Sequence, residues 1–255
     1  MIQLKNAQEL AKMRRACQIS AEALKLGGRS IEAGMTTADL DKIIYDYIKR
    51  HGARPNFKGL YGFPGTACIS INDEVIHGLP SHSRQIRPGD IVSIDTGAAI
   101  NGFNGDNACT FPCGKVDIEA QRLMDVTKES LHRGIAAAVA GNRVGDIGHA
   151  VQSYVEENGF SVVRSFVGHG VGAKLHEAPE VRNFGPAGHG PRLLPGMTLA
   201  VEPMVCAGDW QVKVLADKWT TVTLDGSLAA HYENTILITD GEPEILTVTE
   251  DGAYV

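Results

Sequence analysis

Ile91-Val92-Ser93-Ile94-Asp95-Thr96-Gly97-Ala98-Ala99-Ile100-Asn101-Gly102-Phe103-Asn104-Gly105-Asp106 reads as two strands hinged on a two-residue turn. Asn-Gly between apolar runs is a strong short-range hairpin signal, because both turn residues must take positive φ. The turn sets Ile100 opposite Phe103 and therefore Gly97 opposite Asp106. Asp95 lies two residues from Gly97, and strand faces alternate with a period of two, so Asp95 and Asp106 share a face. As diagonal neighbours their Cβ atoms are about 7 Å apart or less. An unpaired carboxylate inside so apolar a run is costly to bury, and two held together call for a cation. A lone aspartate would read more simply as a solvated hairpin residue. The pair, with the candidates that follow it, favours a metal.

Outward from the hairpin the chain alternates helices and short strands. Asn6 and Glu9 have capping-box spacing, with Leu10, Met13 and Cys17 following on one helical face. A second helix is predicted from about 37 to 51, with Leu40, Ile43, Ile44, Tyr47 and Ile48 apolar and Gly52 as its stop. Two strands, 67–71 and 74–77, flank a turn at Asn72-Asp73. Helices are predicted at 117–139 and 144–157, a Gly/Pro-rich loop at 184–192, and strands at 197–206, 211–215, 219–223 and 231–239.

The chain also repeats itself weakly. At a constant offset of 107, Ala33-Gly34 falls on Ala140-Gly141, Asp39 on Asp146, Tyr47 on Tyr154, Gly52 on Gly159 and Pro88-Gly89 on Pro195-Gly196. Six residues after each of the last two glycines stands a carboxylate in an apolar stretch, Asp95 and Glu202. The expectation is one pseudo-symmetric α+β domain over 1–255, with halves of about 6–110 and 113–240 and a site on the pseudo-axis.

Composition narrows the function. The 255 residues carry 24 Lys+Arg against 30 Asp+Glu, a net charge of −6, which disfavours a general nucleic-acid or anionic-membrane binder. The five cysteines are scattered and odd in number, which suits a reducing compartment. Cys109 and Cys113 have no second pair to complete a zinc quartet and read as strand packing. The first residues resemble no targeting peptide, and no apolar run approaches the 18 or so residues of a membrane span. A cytoplasmic protein is expected.

Further ligand candidates follow the hairpin in order. Gly168-His169-Gly170 sets an imidazole between glycines, His176-Glu177 comes soon after, Glu202-Pro203 ends an apolar strand, and His231-Tyr232-Glu233 opens another. His231 and Glu233 should share a face. Asp95, Asp106, His169, Glu202 and Glu233 together make four carboxylates and one imidazole. That set suits a pair of divalent first-row metals better than a thiolate site, and its charge offsets two dications. Water on such a pair becomes a nucleophile near neutral pH. His51, His82, His132, His149 and His189 belong to no motif and read as surface or helix residues.

Taken together, these residues resemble the type I methionine aminopeptidases, in the minimal bacterial-like form of the pita-bread metallopeptidase family. The matching segments are Cys68-Ile69-Ser70-Ile71-Asn72, Val75-Ile76-His77-Gly78-Leu79-Pro80, Asp95, and Gly102-Phe103-Asn104-Gly105-Asp106. They continue with Gly168–Gly172, His176-Glu177-Ala178-Pro179, Pro195-Gly196-Met197, Glu202-Pro203-Met204 and Tyr232–Ile236, in family order over nearly the whole chain. The resemblance implies a pseudo-two-fold antiparallel sheet covered by helices. It also implies two divalent ions, whether Co, Mn, Fe or Zn, with Asp95 on one, His169 and Glu202 on the other, and Asp106 and Glu233 bridging. A hydroxide between the ions would attack the carbonyl of an N-terminal methionine followed by a small residue. His176 would stabilise the oxyanion, His77 would contact the scissile amide, and Glu202 would shuttle the proton. Phe57, Leu60, Phe63, Cys68, Leu175 and Trp219 match the methionine pocket, and an apolar, partly sulfur-lined slot suits a thioether. The implied partners are nascent-chain N-termini at the ribosome, met by a monomer without nucleic-acid or membrane binding.

The chain departs from the family at Leu60, where an aromatic with a hydroxyl is usual, and at Asn104 and Asn234, where many members carry histidine. Other readings fit less well. A proline-specific peptidase of this fold would usually bring a large extra N-terminal domain. A non-catalytic relative would have lost ligands. A dimetal phosphoesterase would want Lys or Arg at the motifs.

Overall fold

The computed structural model describes residues 2–254. Helix α1 (Ala7–Arg29) begins at Asn6, whose side chain accepts from the Gln8 and Glu9 amides while the Glu9 carboxylate accepts from Asn6 N–H at 2.9 Å. Helix α2 (Thr37–Arg50) carries a Thr36/Asp39 capping box. It buries Leu40, Ile44 and Ile48, every fourth residue. Strands β1 (Arg54–Pro55), β2 (Ala67–Ile71) and β3 (Glu74–Ile76) precede the long hairpin of β4 (Ile91–Ile100) and β5 (Phe103–Pro112). Helices α3 (Ile118–Ala137) and α4 (Val144–Glu157) open the second half. Ten short strands complete the chain. They are β6 (Ser161–Val162), β7 (Gly168–Gly170), β8 (Glu177–Val181), β9 (Thr198–Val201), β10 (Met204–Cys206), β11 (Val212–Val214), β12 (Thr221–Thr223), β13 (Ala229–His231), β14 (Glu233–Leu237) and β15 (Glu244–Ile245).

The main sheet runs β1-β4-β5-β14-β9-β7-β8, with β2 also on β4 and β15 also on β14, and its pairs are antiparallel. The hairpin keeps the predicted register, with Ile100 opposite Phe103 and Gly97 opposite Asp106. Asn101 and Gly102 both take positive φ, 54° and 81°, as a turn matched to strand twist requires. Helix α1 lies directly on this hairpin. A Cβ on Gly105 would stand 2.5 Å from the Cys17 backbone, so only glycine allows the approach. Helices α2 and α4 are each 14 residues long and start 107 residues apart.

Three sequence expectations change. The strand expected at 197–206 is two strands, because Pro203 has no N–H for a ladder and Glu202-Pro203 separates β9 from β10. The strand expected at 231–239 likewise divides at Tyr232, with β13 on β10 and β14 in the main sheet. The turn at Asn72 forms with φ 61°, but β3 pairs with β12 rather than in the sheet that holds β2. No helix among the described residues is long and apolar enough to cross a membrane.

Candidate metal centre and its cavity

Register alone carries most of the site to one face. Cys68 stands opposite Asp95, Asp95 opposite Ala108, and Ala108 opposite Glu233. Asp106 lies two residues from Ala108 on β5 and so on the same face. The β14–β9 register pairs Asn234 with Val201, and one further step brings Glu233 opposite Glu202, just beyond the end of β9. On β7, Gly170 pairs with Leu199, which puts His169 beside Ala200 and on the face of Glu202. Small Ala108 leaves room for the longer acidic side chains around it.

Atoms of Asp106, His169 and Glu233 converge within 4.8 Å of one another. His169 Nε2 is 3.7 Å from Asp106 Oδ2 and 3.5 Å from Glu202 Oε1. His169 Nδ1 lies 2.9 Å from the Gly170 carbonyl, which can only accept, so Nδ1 carries the proton and Nε2 presents its lone pair. Burial pushes the His169 pKa down to about 4 and keeps the ring neutral, as a ligand must be.

The carboxylates show the opposite strain. Burial raises Asp95, Asp106, Glu202 and Glu233 above the ordinary carboxylate range, and mutual repulsion adds to it for Asp106, Glu202 and Glu233. Asp95 Oδ1, Asp106 Oδ1 and Glu233 Oε1 are buried without any hydrogen-bond partner. Orphaned acceptors of one sign, gathered on one face, fit divalent cations.

A cavity of about 440 Å³ opens onto these groups. Its apolar end is a packed cluster of Phe57, Phe63, Cys68 and Leu175, with Leu60 and Trp219 against it. His77 reaches the cavity from a left-handed backbone, φ 60°, and its ring meets Phe166 and Trp219 edge-on. Burial and nearby His176 lower its pKa to about 4. The His176 ring stands perpendicular to His169, with centroids 4.4 Å apart. Its neighbour Glu177 is fixed by a buried ion pair with Lys5 at 2.6 Å. Every candidate site residue named from the sequence therefore borders one cavity.

Sequence reasoning missed two residues. His231, buried to 1% exposure, places Nε2 3.8 Å from Glu202 Oε2, and that nitrogen has no hydrogen-bond partner. The sequence places it on the face of Glu233 without a role, and its spacing of two from that candidate ligand is a usable signal. Tyr61 lines the cavity mouth, and nothing in its spacing marked it.

A water-accessible cavity floored by four carboxylates and a neutral imidazole defines a metallohydrolase centre. The chain belongs to metallopeptidase family M24, whose model matches residues 11–240. The methionine aminopeptidase of Clostridium perfringens is 54% identical to it, over 97% of this chain and 99% of that one. The methionine aminopeptidase of Clostridium acetobutylicum is 52% identical over 98% of this chain and the whole of that one. The crystal structure of methionine aminopeptidase from Thermotoga maritima superposes with a TM-score of 0.95 at 45% identity, covering 97% and 99% of the two chains. The architecture is accordingly the pita-bread fold.

Proposed function

We propose that this chain is a metal-dependent aminopeptidase that removes N-terminal methionine when the second residue is small. The observation that carries the reading is the juxtaposition of an apolar, sulfur-lined slot with orphaned carboxylate oxygens in one cavity. On this reading Asp95, Asp106, His169, Glu202 and Glu233 hold two divalent ions, of Co, Mn, Fe or Zn. Bound there, such ions supply Lewis acidity and lower the pKa of water toward 7.

The chain's own residues do the rest. Phe57, Leu60, Phe63, Cys68, Leu175 and Trp219 hold the methionine side chain and exclude water from it. Burial keeps His77 and His176 neutral, so each can donate one N–H. His176 donates to the developing oxyanion and His77 to the scissile amide region. Glu202 takes the proton given up by the attacking water and passes it to the leaving amine. The products are methionine and the shortened peptide. The reading extends to one catalytic domain acting as a monomer on nascent chains at the ribosome, in the cytoplasm.

The test is methionine release from Met-Ala-Ser and Met-Ile-Ser by metal-stripped protein given Mn, Co, Fe or Zn in turn. Release from the first peptide alone, only with metal and lost in Asp95→Ala, is expected. No release by folded protein with any metal would overturn the reading.

A further inference from the structure

Tyr61 is the anomaly of the cavity mouth. Its backbone sits in the left-handed region, φ 51° and ψ 18°, where a bulky side chain is a genuine outlier. Gly59 and Gly62 beside it also take positive φ, 85° and 90°, with open space where a Cβ would point. The Tyr61 side chain does not compensate by burial, since the residue is 77% exposed. Its ring instead lies parallel to the His176 imidazole, at 4° and a centroid distance of 6.0 Å. It belongs to neither the packed apolar cluster nor the core. Strain held for no packing gain points to function.

Position says which function. The apolar cluster takes the methionine side chain, and Tyr61 stands outside it. Tyr61, Leu60, Leu175 and His176 border both the cavity and a second groove that leads away past Arg54, Asn56, Lys58 and Lys174. This shared border joins the apolar cluster to the second groove, so it offers a path out for a peptide whose first residue fills the cluster.

We propose that Tyr61 is a substrate-binding residue that, with His176, grips the peptide backbone beyond the scissile bond as it enters the second groove. This rests on the aminopeptidase reading above. An aromatic wall of this kind contributes through ring contact as well as area.

The experiment compares Tyr61→Gly, Tyr61→Phe and the unaltered protein, all metal-loaded, on Met-Ala-Ser-Gly-Ser and on Met-Ala amide. In the glycine variant KM should rise about tenfold for the pentapeptide and less than threefold for the dipeptide amide. Its kcat should stay within about twofold, because uniform binding is what is lost. Tyr61→Phe should keep most of the affinity. The glycine variant should melt at or above the original temperature, because glycine relieves the positive φ. A purely structural role would give the reverse pattern, lower melting and lower kcat with KM unchanged. That pattern, or an unchanged pentapeptide KM in an otherwise active protein, overturns the proposal alone. Failure of the unaltered protein to release methionine overturns the aminopeptidase reading, and this one with it.

Discussion

The two carboxylates related by the 107-residue offset live in different strands. Asp95 sits within a ten-residue strand held on both sides, by β2 through Cys68 and by β5 through Ala108. Glu202 sits one residue past a four-residue strand and just before a proline. Its side chain lies between two imidazoles, 3.5 Å from His169 Nε2 and 3.8 Å from His231 Nε2. One position is pinned on a ladder, and the other is a longer side chain released from one. On the proposed assignment the first arrangement suits a fixed ligand, and the second suits a group that holds an ion and carries a proton.

That contrast can be broken by substitution. Asp95→Ala should abolish bound metal, seen by metal analysis, and reduce methionine release more than any other change here. Retention of both ions would show that the ladder position is not a ligand. Glu202→Gln should cut kcat by about 10²–10⁴, the range for lost acid–base catalysis, while metal content falls less than in Asp95→Ala. Equal metal loss in the two variants would erase the distinction. His231→Leu should cost about 10–100-fold in metal affinity or activity, as removal of an outer partner does, with His231→Gln retaining more. Titration calorimetry of metal-free protein separates the two effects.

The remaining predictions are smaller. His77 is held at a pKa of about 4 against 6.5 in the unfolded chain, so the unfolded state binds the extra proton between those values. Its contribution is therefore complete above pH 6.5 and is lost as pH falls toward 4. His77→Gln should flatten the acid-side decline by at most about 1.4 kcal/mol per pH unit, measured by urea unfolding at stepped pH. An unchanged slope would mean the ring is already solvated. Leu60→Tyr should change KM for Met-Ala-Ser by less than about threefold, since Leu60 packs on the rim of its cluster rather than inside it.

The hairpin was readable because its constraints are local. Asn101-Gly102 admits essentially one kind of turn, and that turn fixes ten opposed pairs and the shared face of Asp95 and Asp106. The helix at Thr37–Arg50 is legible in its apolar period and the Gly52 stop, and the one at Val144–Glu157 falls where the sequence places it. The breaks at Pro203 and Tyr232 were harder. Strand preference continues through both, and only the partner strands decide where pairing stops. The five metal candidates came from residue type and motif. Tyr61 carried neither, and its meaning lies in a backbone angle and an exposure that no spacing encodes.

The row Asp95, Ala108, Glu233 turns the sheet into a ruler. Neighbouring strands stand about 4.8 Å apart, so two carboxylate-bearing positions separated by one small residue have fixed anchor points about 10 Å apart. What spans the interval is side-chain length, one methylene shorter in aspartate than in glutamate. Tuning such a centre for ions of different radius therefore runs through single-methylene exchanges at 95, 106 and 233 on an unmoved backbone. An engineer seeking a changed ion preference would vary those lengths first and leave the ladder alone.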